Sequence, residues 1–183
     1  MSRLRPQTPL EKLTKKLESQ PWGNAQAAVA ILVKPKKDDL EFFLVKRAEV
    51  DDDPWSGDMA FPGGKKNLQD ETLIDTAVRE VLEETSIDLR DKKVIGFMEP
   101  VYSAVRRTLA VQPIVYRYDE YPEVNLNYEL TKHLWASLSE IQKGKTQAVV
   151  KGWEGPVYMV QGETVWGLTF RMLELILKLI EED

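Results

Sequence analysis

The sequence predicts a single α/β domain. Its 183 residues, 43% of them hydrophobic, are enough for one domain with a substantial core. Runs rich in Val, Ile, Leu, Tyr and Phe, which are typical of strands, occur between segments whose apolar residues repeat at helical spacing. We find no internal repeat, low-complexity segment or linker, so one domain over residues 1–183 is expected.

The first third of the chain predicts one helix and three strands. Residues 9–19 have leucines at helical spacing, with Thr8 as the N-cap and Pro9 at the first helical position. This helix is the main part of an N-terminal helical extension that we expect over residues 1–22. The predicted strands are 25–34, 40–47 and 58–61, and an acidic, proline-containing loop occupies residues 48–57.

The rest of the chain predicts three helices and four strands. Residues 71–85 form the first helix, residues 137–142 a short helix capped by Ser137, and residues 164–181 a long apolar helix. The predicted strands are 94–102, 109–118, 134–136 and 157–160, and a loop occupies residues 121–130.

Charge and cysteine content exclude several kinds of function. The formal net charge is −5, so the molecule as a whole is not expected to bind nucleic acid or an anionic membrane surface. A phosphate-rich substrate would therefore need a local basic group or a metal ion. The absence of cysteine excludes disulfides, zinc–thiolate sites and thiol nucleophiles. Residues 1–20 lack the apolar stretch of a signal peptide and no run reaches the length of a membrane span, so a cytoplasmic location is expected.

Three carboxylates lie close together on the helix predicted at 71–85. Because each helical residue turns about 100°, Glu84 falls roughly 40° to one side of Glu80 and Glu83 roughly 60° to the other. The apolar residues occupy a separate arc, so the helix has a core-facing side and an adjoining acidic edge. Such an edge offers the oxygen ligands that Mg²⁺ and Mn²⁺ prefer. A solvated acidic face is the alternative, since like charges four residues apart cost only about 0.2–0.5 kcal/mol.

The spacing of the charged residues decides between these two interpretations. Residues 71–87, ETLIDTAVREVLEETSI, resemble the Nudix box G-x5-E-x7-R-E-U-x-E-E-x-G-U, where U is a bulky aliphatic residue. All five charged positions agree, which chance would produce about once in a million registers if each residue type makes up roughly 6% of a sequence. Lys65 and Ser86 stand where the two glycines are expected, and Gly63 and Gly64 directly precede Lys65. We therefore identify the chain as a member of the Nudix hydrolase superfamily.

The resemblance implies an α/β/α sandwich with a mixed sheet, in which residues 61–87 form the Nudix box region. It also implies a hydrolase that cleaves the diphosphate of a nucleoside diphosphate linked to another moiety, with Mg²⁺ or Mn²⁺ as cofactor. A divalent ion neutralises the charge that develops on phosphate, while carboxylates hold the ion. The expected partner is thus a small nucleotide derivative, and a homodimer, common among Nudix proteins, is the oligomeric state to test.

The resemblance also assigns the metal site. Glu80 and Glu84 are implied as metal ligands, with Glu83 binding the metal directly or through water. The glycine turn before the box is expected to offer a backbone carbonyl, which we assign to Gly64.

The remaining roles of the box concern catalysis and local structure. Arg79 is implied to orient a carboxylate, and Glu71 to brace the turn before the helix. The proton acceptor stays open, because some Nudix enzymes use a box glutamate, such as Glu83, and others use a glutamate from a later loop. Glu129 is the candidate for the second arrangement.

The segment before the box resembles a narrower signature. Residues 43–64, FLVKRAEVDDDPWSGDMAFPGG, are similar to the coenzyme A pyrophosphatase pattern L-L-T-x-R-S-A-x3-R-x3-G-x3-F-P-G-G. The match implies Arg47, Phe61 and Gly63 in substrate binding. Asp53 stands where the pattern has its second arginine, and this reversal of charge would repel a polyanion such as coenzyme A.

Three hypotheses about function remain open. The leading one is a metal-dependent hydrolase of a coenzyme A-like or ADP-ribose-like compound. The second is a house-cleaning nucleoside triphosphate pyrophosphatase, and the third is a catalytically idle Nudix domain used for binding or regulation, which the complete glutamate set disfavours. Arg106 and Arg107 are candidates for phosphate contacts, with an exposed position on a hairpin as the alternative.

Overall fold

A computed structural model describes residues 5–182 and shows helices on both faces of a mixed β-sheet. The first four residues of the predicted 1–22 extension and residue 183 lie outside the described residues. The helices are α1 (Pro9–Lys16), α2 (Leu73–Thr85), α3 (Leu138–Lys143) and α4 (Gly167–Glu181). The strands are β1 (Ala27–Lys36), β2 (Asp39–Arg47), β3 (Met59–Ala60), β4 (Gly63–Lys65), β5 (Val94–Phe97), β6 (Val101–Tyr102), β7 (Ala110–Arg117), β8 (Leu130–Ser137), β9 (Lys145–Val150), β10 (Trp153–Val160) and β11 (Glu163–Val165).

The main sheet of the described chain has eight strands. Its central order is β3-β2-β1-β7-β5, and β4 pairs with β1, β6 with β7 and β8 with β2. Strands β1 and β7 run parallel, while the other pairs within this sheet are antiparallel. The predicted α/β sandwich with a mixed sheet is therefore confirmed.

The central strands are buried on both faces, as expected for a sheet covered by helices on each side. Along β1, Ile31 and Val33 face one core, which also contains residues of α1 and α4. Ala30 and Leu32 face the other core, beneath α2. Leu13 of α1 is fully buried in the first core, so the N-terminal helix is an integral part of this domain.

A second sheet, β11-β10-β9, is the largest feature that the sequence analysis did not predict. Residues 157–160 were expected as the last strand, but they are the end of an eight-residue strand in an antiparallel meander. The last helix was expected from residue 164, but it begins at Gly167 because the preceding residues pair with β10. The two turns of this meander have positive φ at both residues, which suits two-residue hairpins of type I′.

Several other element boundaries also differ from the prediction. Helix α1 ends at Lys16 instead of residue 19, and the strand expected at 94–102 is divided into β5 and β6. The strand expected at 134–136 extends over all of β8 because it pairs with β2 along its length. Within residues 5–182, none of the helices combines the length and the apolar character that a membrane span requires.

Candidate active site

Two glycines connect the sheet to the acidic edge of α2. Gly63 has a φ of 151°, and a Cβ there would lie 2.2 Å from the Ala28 carbonyl oxygen. A Cβ on Gly64 would lie 2.5 Å from the carboxyl carbon of Glu80. Gly63 therefore needs glycine, because the backbone of β1 lies where a side chain would stand, whereas a side chain at Gly64 would displace the Glu80 carboxylate. This close approach places the Glu80 carboxylate against the backbone of the turn.

Arg79 is fixed by the buried carboxylate of Asp70. Asp70 is buried and accepts hydrogen bonds from Arg79 Nε at 3.0 Å and Nη2 at 2.8 Å. It also accepts from the Thr76 hydroxyl and the Asn67 N–H, both at 3.0 Å, which joins the loop to the first turns of α2. The Arg79 guanidinium holds the pKa of Asp70 well below its ordinary range. Glu71 is exposed, so its predicted bracing role is corrected to Asp70.

Arg79 also contacts the carboxylates of the acidic edge. Its Nη1 donates to Glu80 at 2.7 Å and to Glu83 at 3.4 Å. Its Nη2 donates to the Lys65 carbonyl at 3.0 Å. The Glu83 side chain is 57% exposed, so it lies on the solvent side of this arginine. Arg79 thus holds Glu80 in place from one side while Gly64 packs against it from the other.

Glu84 is the buried carboxylate of the edge, with 3% of its surface exposed. One of its oxygens accepts a hydrogen bond from the Gly63 N–H at 3.0 Å. Burial raises the pKa of Glu84 to about 8; the Gly63 hydrogen bond opposes the rise, and the negative charges of Glu80 and Glu129 add to it. Burial also raises the pKa of Glu80. Crowded, desolvated carboxylates of this kind are unfavourable in their charged form unless a cation compensates them.

The loop that carries Glu129 is fastened to the end of α2. Asn125 and Asn127 donate backbone hydrogen bonds to carbonyls in the last turn of the helix at 2.9 and 3.0 Å. These bonds satisfy acceptors that a helix end leaves without partners. The carbonyl of Glu129 accepts from the Ala48 N–H at 2.7 Å. The fold therefore brings Glu129, although it is 45 residues beyond Glu84 in the chain (129 − 84), to the same site.

A cleft of about 430 Å³ lies over this acidic cluster. Glu80, Glu84 and Glu129 contribute to its wall together with Arg47 at the end of β2. The volume is within the range of about 300–1,000 Å³ that is usual for small-molecule sites. Three larger grooves in the described residues, of about 1020, 810 and 530 Å³, contain none of the box glutamates. Chemistry, and not size, therefore identifies this cleft as the candidate site.

Arg47 and Asp53 form an ion pair beside the cleft. Arg47 Nη2 lies 3.0 Å from Asp53 Oδ2, and the other Asp53 oxygen accepts from the Trp55 N–H at 3.1 Å. The Nε of Arg47 is buried and has no hydrogen-bond partner in the described structure. The aspartate that replaces the second arginine of the coenzyme A pattern thus neutralises the first one.

The other predicted substrate-binding residues differ in their distance from the cleft. Phe61 is buried in the core and borders the cleft, as does Gly63. Arg106 lies with its guanidinium carbon 5.1 Å from the centre of the Trp55 ring, and Trp55 lines the cleft. Arg107 is exposed on the same loop. In the described residues neither arginine belongs to the wall of the cleft.

The donor chemistry of the cluster fits a hard divalent cation. Glu80 and Glu84 supply carboxylate oxygens, the ligand type that Mg²⁺ and Mn²⁺ select. In the part of the chain that the structure describes, no three Asp, Glu or His side chains form a complete ion site as they stand, and Glu80 is bonded to Arg79. Water would therefore complete the coordination shell, which suits Mg²⁺ because this ion retains several of its waters.

Sequence analysis missed two residues that organise the site. Asp70 could have been found, because it lies six residues after Gly64 and so keeps the glycine-x5-acid spacing of the box. Lys151, which contacts the loop at 48–58, could not have been found in this way. It lies 95 residues from its partner Ser56, and no sequence pattern connects the two segments.

Comparisons with known proteins agree with this site. The family model described as NUDIX domain matches residues 24–165. The chain is 29% identical over 137 residues to the protein named mitochondrial coenzyme A diphosphatase NUDT8 of Mus musculus, covering 68% of this chain and 63% of that protein. The Homo sapiens protein of the same name is 29% identical over 134 residues, covering 68% and 56%. An uncharacterized Nudix hydrolase NudL of Yersinia pestis is 32% identical over 127 residues, covering 62% and 60%. The chain thus spans less than two thirds of these curated relatives.

Solved structures show the same fold. The MutT protein from Methanosarcina mazei Go1 aligns with a TM-score of 0.59 and 23% identity, covering 85% of this chain and 94% of that one. A bifunctional NMN adenylyltransferase/ADP ribose pyrophosphatase from Francisella tularensis, solved with AMP and a Mn ion, aligns with a TM-score of 0.52 and 19% identity, covering 86% and 43%. At these identities the similarity is one of fold.

Proposed function

The chain belongs to the NUDIX domain family, and on this premise we propose that it is a metal-dependent pyrophosphohydrolase of a nucleoside diphosphate linked to another moiety. The observation that carries the proposal is the convergence of Glu80, Glu84 and Glu129 on one cleft beside Arg47. The relatives named as coenzyme A diphosphatases support the same class of bond.

We propose that Glu80 and Glu84 hold Mg²⁺ or Mn²⁺. When bound, the ion neutralises charge on the diphosphate and acidifies water. Gly64 is proposed to offer its carbonyl, because its backbone lies against Glu80. Glu83 is proposed to act through water, since it is exposed and bonded to Arg79. The Mn ion in the Francisella tularensis structure supports the choice of metal.

The chain's own residues supply orientation and proton transfer. Arg79 orients Glu80, and Asp70 fixes Arg79. Glu129 is the better candidate for the group that takes a proton from the attacking water, because it lines the cleft and Glu83 does not belong to the described wall.

Arg47 is proposed to contact a phosphate oxygen through its guanidinium, because this side chain borders the cleft. Its charge is shared with Asp53, so attraction for a polyanion is weaker than an unpaired arginine would give. The substrate is accordingly proposed to be coenzyme A-like or ADP-ribose-like, with the second compound favoured because it carries one phosphate fewer.

A turnover screen tests this function. The purified protein is incubated with coenzyme A, ADP-ribose, dinucleoside polyphosphates and nucleoside triphosphates, each with Mg²⁺, with Mn²⁺ and with EDTA, and the products are separated by chromatography. The expected result is metal-dependent cleavage of one diphosphate linkage into two phosphomonoesters. Release of inorganic pyrophosphate from triphosphates as the main reaction would favour the house-cleaning alternative. Nucleotide binding without turnover under any metal would favour an idle domain.

A further inference from the structure

Lys151 lies in the turn between β9 and β10, outside the main sheet, and its side chain binds the loop at 48–58. Its Nζ lies 2.9 Å from an Asp58 carboxylate oxygen. The same ammonium donates to the carbonyls of Ser56 at 2.7 Å and Pro54 at 3.2 Å. An ammonium has three N–H donors, so these three oxygens use its full capacity. The three oxygen atoms therefore occupy all the donor positions of the Lys151 ammonium.

Lys151 lies in a tight hairpin turn. Lys151 and Gly152 have φ values of 50° and 80° and form the two-residue turn between β9 and β10. The ammonium also lies 5.7 Å from the centre of the Trp166 ring. The Trp166 indole N–H donates to the same Asp58 oxygen at 2.9 Å. Two elements that are distant in sequence thus converge on one carboxylate of the loop.

The loop that is held in this way forms one wall of the cleft. Pro54, Trp55 and Asp58 line the cleft, and Trp166 lies in the same wall. Residues 48–58 include five carboxylates and no lysine or arginine, so the loop repels itself electrostatically. Lys151 supplies a positive charge that the loop itself lacks.

We propose that Lys151 is a positioning residue for substrate recognition. By fixing residues 54–58 it sets the shape of the cleft wall that a nucleotide would contact, and it acts through those residues without touching the carboxylates of α2. This inference rests on the proposed function, because the cleft must bind a nucleotide for its wall to matter. A role in stability alone is the competing explanation, and it is weakened by the 41% exposure of the Lys151 side chain, since exposed ion pairs add little to stability.

Three variants separate these explanations. Lys151→Met removes the charge and keeps the aliphatic stem, whereas Lys151→Arg keeps a cation with several donors. Lys178→Met is the matched control, because Lys178 is exposed and pairs with Glu182 at 3.6 Å on a helix away from the loop. Amide hydrogen exchange of residues 48–58 is measured for each, together with KM and kcat for the best nucleotide found in the turnover screen.

For Lys151→Met we expect exchange in residues 48–58 to become at least about tenfold faster while α2 is unchanged. KM should rise at least about fivefold with kcat within about twofold, the pattern of lost ground-state binding. Lys151→Arg should restore most of both quantities, and Lys178→Met should alter neither. Unchanged exchange, unchanged KM, or an equal effect of Lys178→Met would overturn the proposal.

Failure of the proposed function can be told apart from failure of this inference. If the unmutated protein hydrolyses no nucleotide, the same variants are compared by hydrogen exchange and by calorimetric titration with ADP-ribose. Faster exchange in residues 48–58 and weaker ADP-ribose binding in Lys151→Met would still support Lys151 as a positioning residue. Equal binding by both proteins, or no binding by the unmutated one, would overturn it.

Discussion

Glu84 is the residue on which the proposed chemistry depends most directly. It is deeply buried, its pKa is raised by that burial, and neighbouring carboxylates crowd it. A glutamine at this position keeps the shape of the side chain and an oxygen for the Gly63 N–H, but removes the negative charge that a cation needs. We expect Glu84→Gln to lower kcat at least about a hundredfold at saturating Mg²⁺ while circular dichroism shows an intact fold.

Glu71→Gln is the matched control for this prediction. It is the same substitution in an exposed residue just before the same helix, and it should leave kcat unchanged. Activity of Glu84→Gln close to that of the unmutated protein would exclude Glu84 as a metal ligand.

Glu129 and Glu83 are the two candidates for the proton acceptor, and the structure distinguishes their surroundings. Glu129 lines the cleft, whereas Glu83 is exposed and bonded to Arg79. If Glu129 takes the proton, Glu129→Gln should lower kcat by about 10²–10⁴-fold with metal affinity almost unchanged. Glu83→Gln should have a smaller effect on kcat. Single-turnover rates and a metal titration measure both, and the reverse ranking would assign the base to Glu83.

Asp53 gives a test of substrate selection. Because it pairs with Arg47, removing its charge should release that arginine for phosphate. Asp53→Arg should raise kcat/KM for coenzyme A more than for ADP-ribose, since coenzyme A carries an extra phosphate. A reversed charge near the surface is worth a few kcal/mol at an effective dielectric constant of about 20, and less in salt, so both substrates are compared at low and physiological ionic strength. Asp53→Asn is the isosteric control. Efficient coenzyme A turnover by the unmutated protein would show that Asp53 does not disfavour this substrate.

At the scale of elements, the hydrogen bonds of Asp70 hold the loop after the glycine turn against α2. Its pair with Arg79 is largely buried, because the two side chains are 4% and 23% exposed. Asp70→Asn should destabilise the protein by about 2–4 kcal/mol at pH 7, less than the 3–5 kcal/mol of a fully buried pair. Glu71→Gln, one residue away and exposed, should change stability by less than about 0.5 kcal/mol. Urea unfolding measures both free energies, and equal losses would contradict the assignment to Asp70.

The same pair predicts a dependence of stability on pH. The pKa of Asp70 is lowered in the folded protein, so the pair stabilises the fold above the ordinary aspartate pKa of about 3.9. This contribution is lost as the pH falls toward the folded-state value. The difference in stability between the unmutated protein and Asp70→Asn should therefore be largest at neutral pH and smaller at pH 3. If the difference in unfolding free energy between the two proteins stays constant with pH, the charge of Asp70 does not stabilise the contact between the loop and α2.

The box helix could be predicted from sequence because its signals are local. Apolar spacing and the five charged positions predict the start of α2 to within two residues. Ser86, which stands where the pattern has glycine, adopts the left-handed conformation that glycine would favour. The assignment of Glu71 failed because spacing counted backward from Arg79 and spacing counted forward from Gly64 differ by one residue. Only the hydrogen bonds of the folded loop select Asp70.

The second sheet could not be predicted with the same ease. Its turns contain Lys-Gly and Gln-Gly, weaker hairpin signals than Asn-Gly or Asp-Gly, and its strands alternate polar and apolar residues irregularly. The two dipeptides that end in glycine, each between short runs of strand-forming residues, were the signal that could have indicated the second sheet.

At the scale of the whole molecule, the cleft is a product of tertiary structure. Its wall is assembled from the loop at 48–58, the box, residues 103–105, Glu129 and the start of α4. The sequence predicted the acidic side of the cleft, where we propose the metal site, because one helix carries it. It could not predict the substrate-binding side, since long-range contacts such as those of Lys151 decide which loops face each other.

If the acidic cluster holds the proposed metal, metal binding should stabilise the whole domain. Glu84 is buried, Glu80 is half-buried and both have raised pKa values, so a cation bound between them should relieve an unfavourable arrangement of the folded state alone. A ligand present at a hundred times its Kd stabilises by about 2.7 kcal/mol, which for a protein of this size corresponds to a rise in Tm of roughly 5–10 °C. We therefore expect Mg²⁺ and Mn²⁺ to raise the Tm of the unmutated protein in differential scanning calorimetry, and EDTA to reverse the effect. Glu84→Gln should respond weakly to either metal, and without metal it should be at least as stable as the unmutated protein because a neutral amide replaces a buried carboxyl group that is unfavourable when ionised. Equal metal-induced shifts in both proteins would place the ion elsewhere in the molecule.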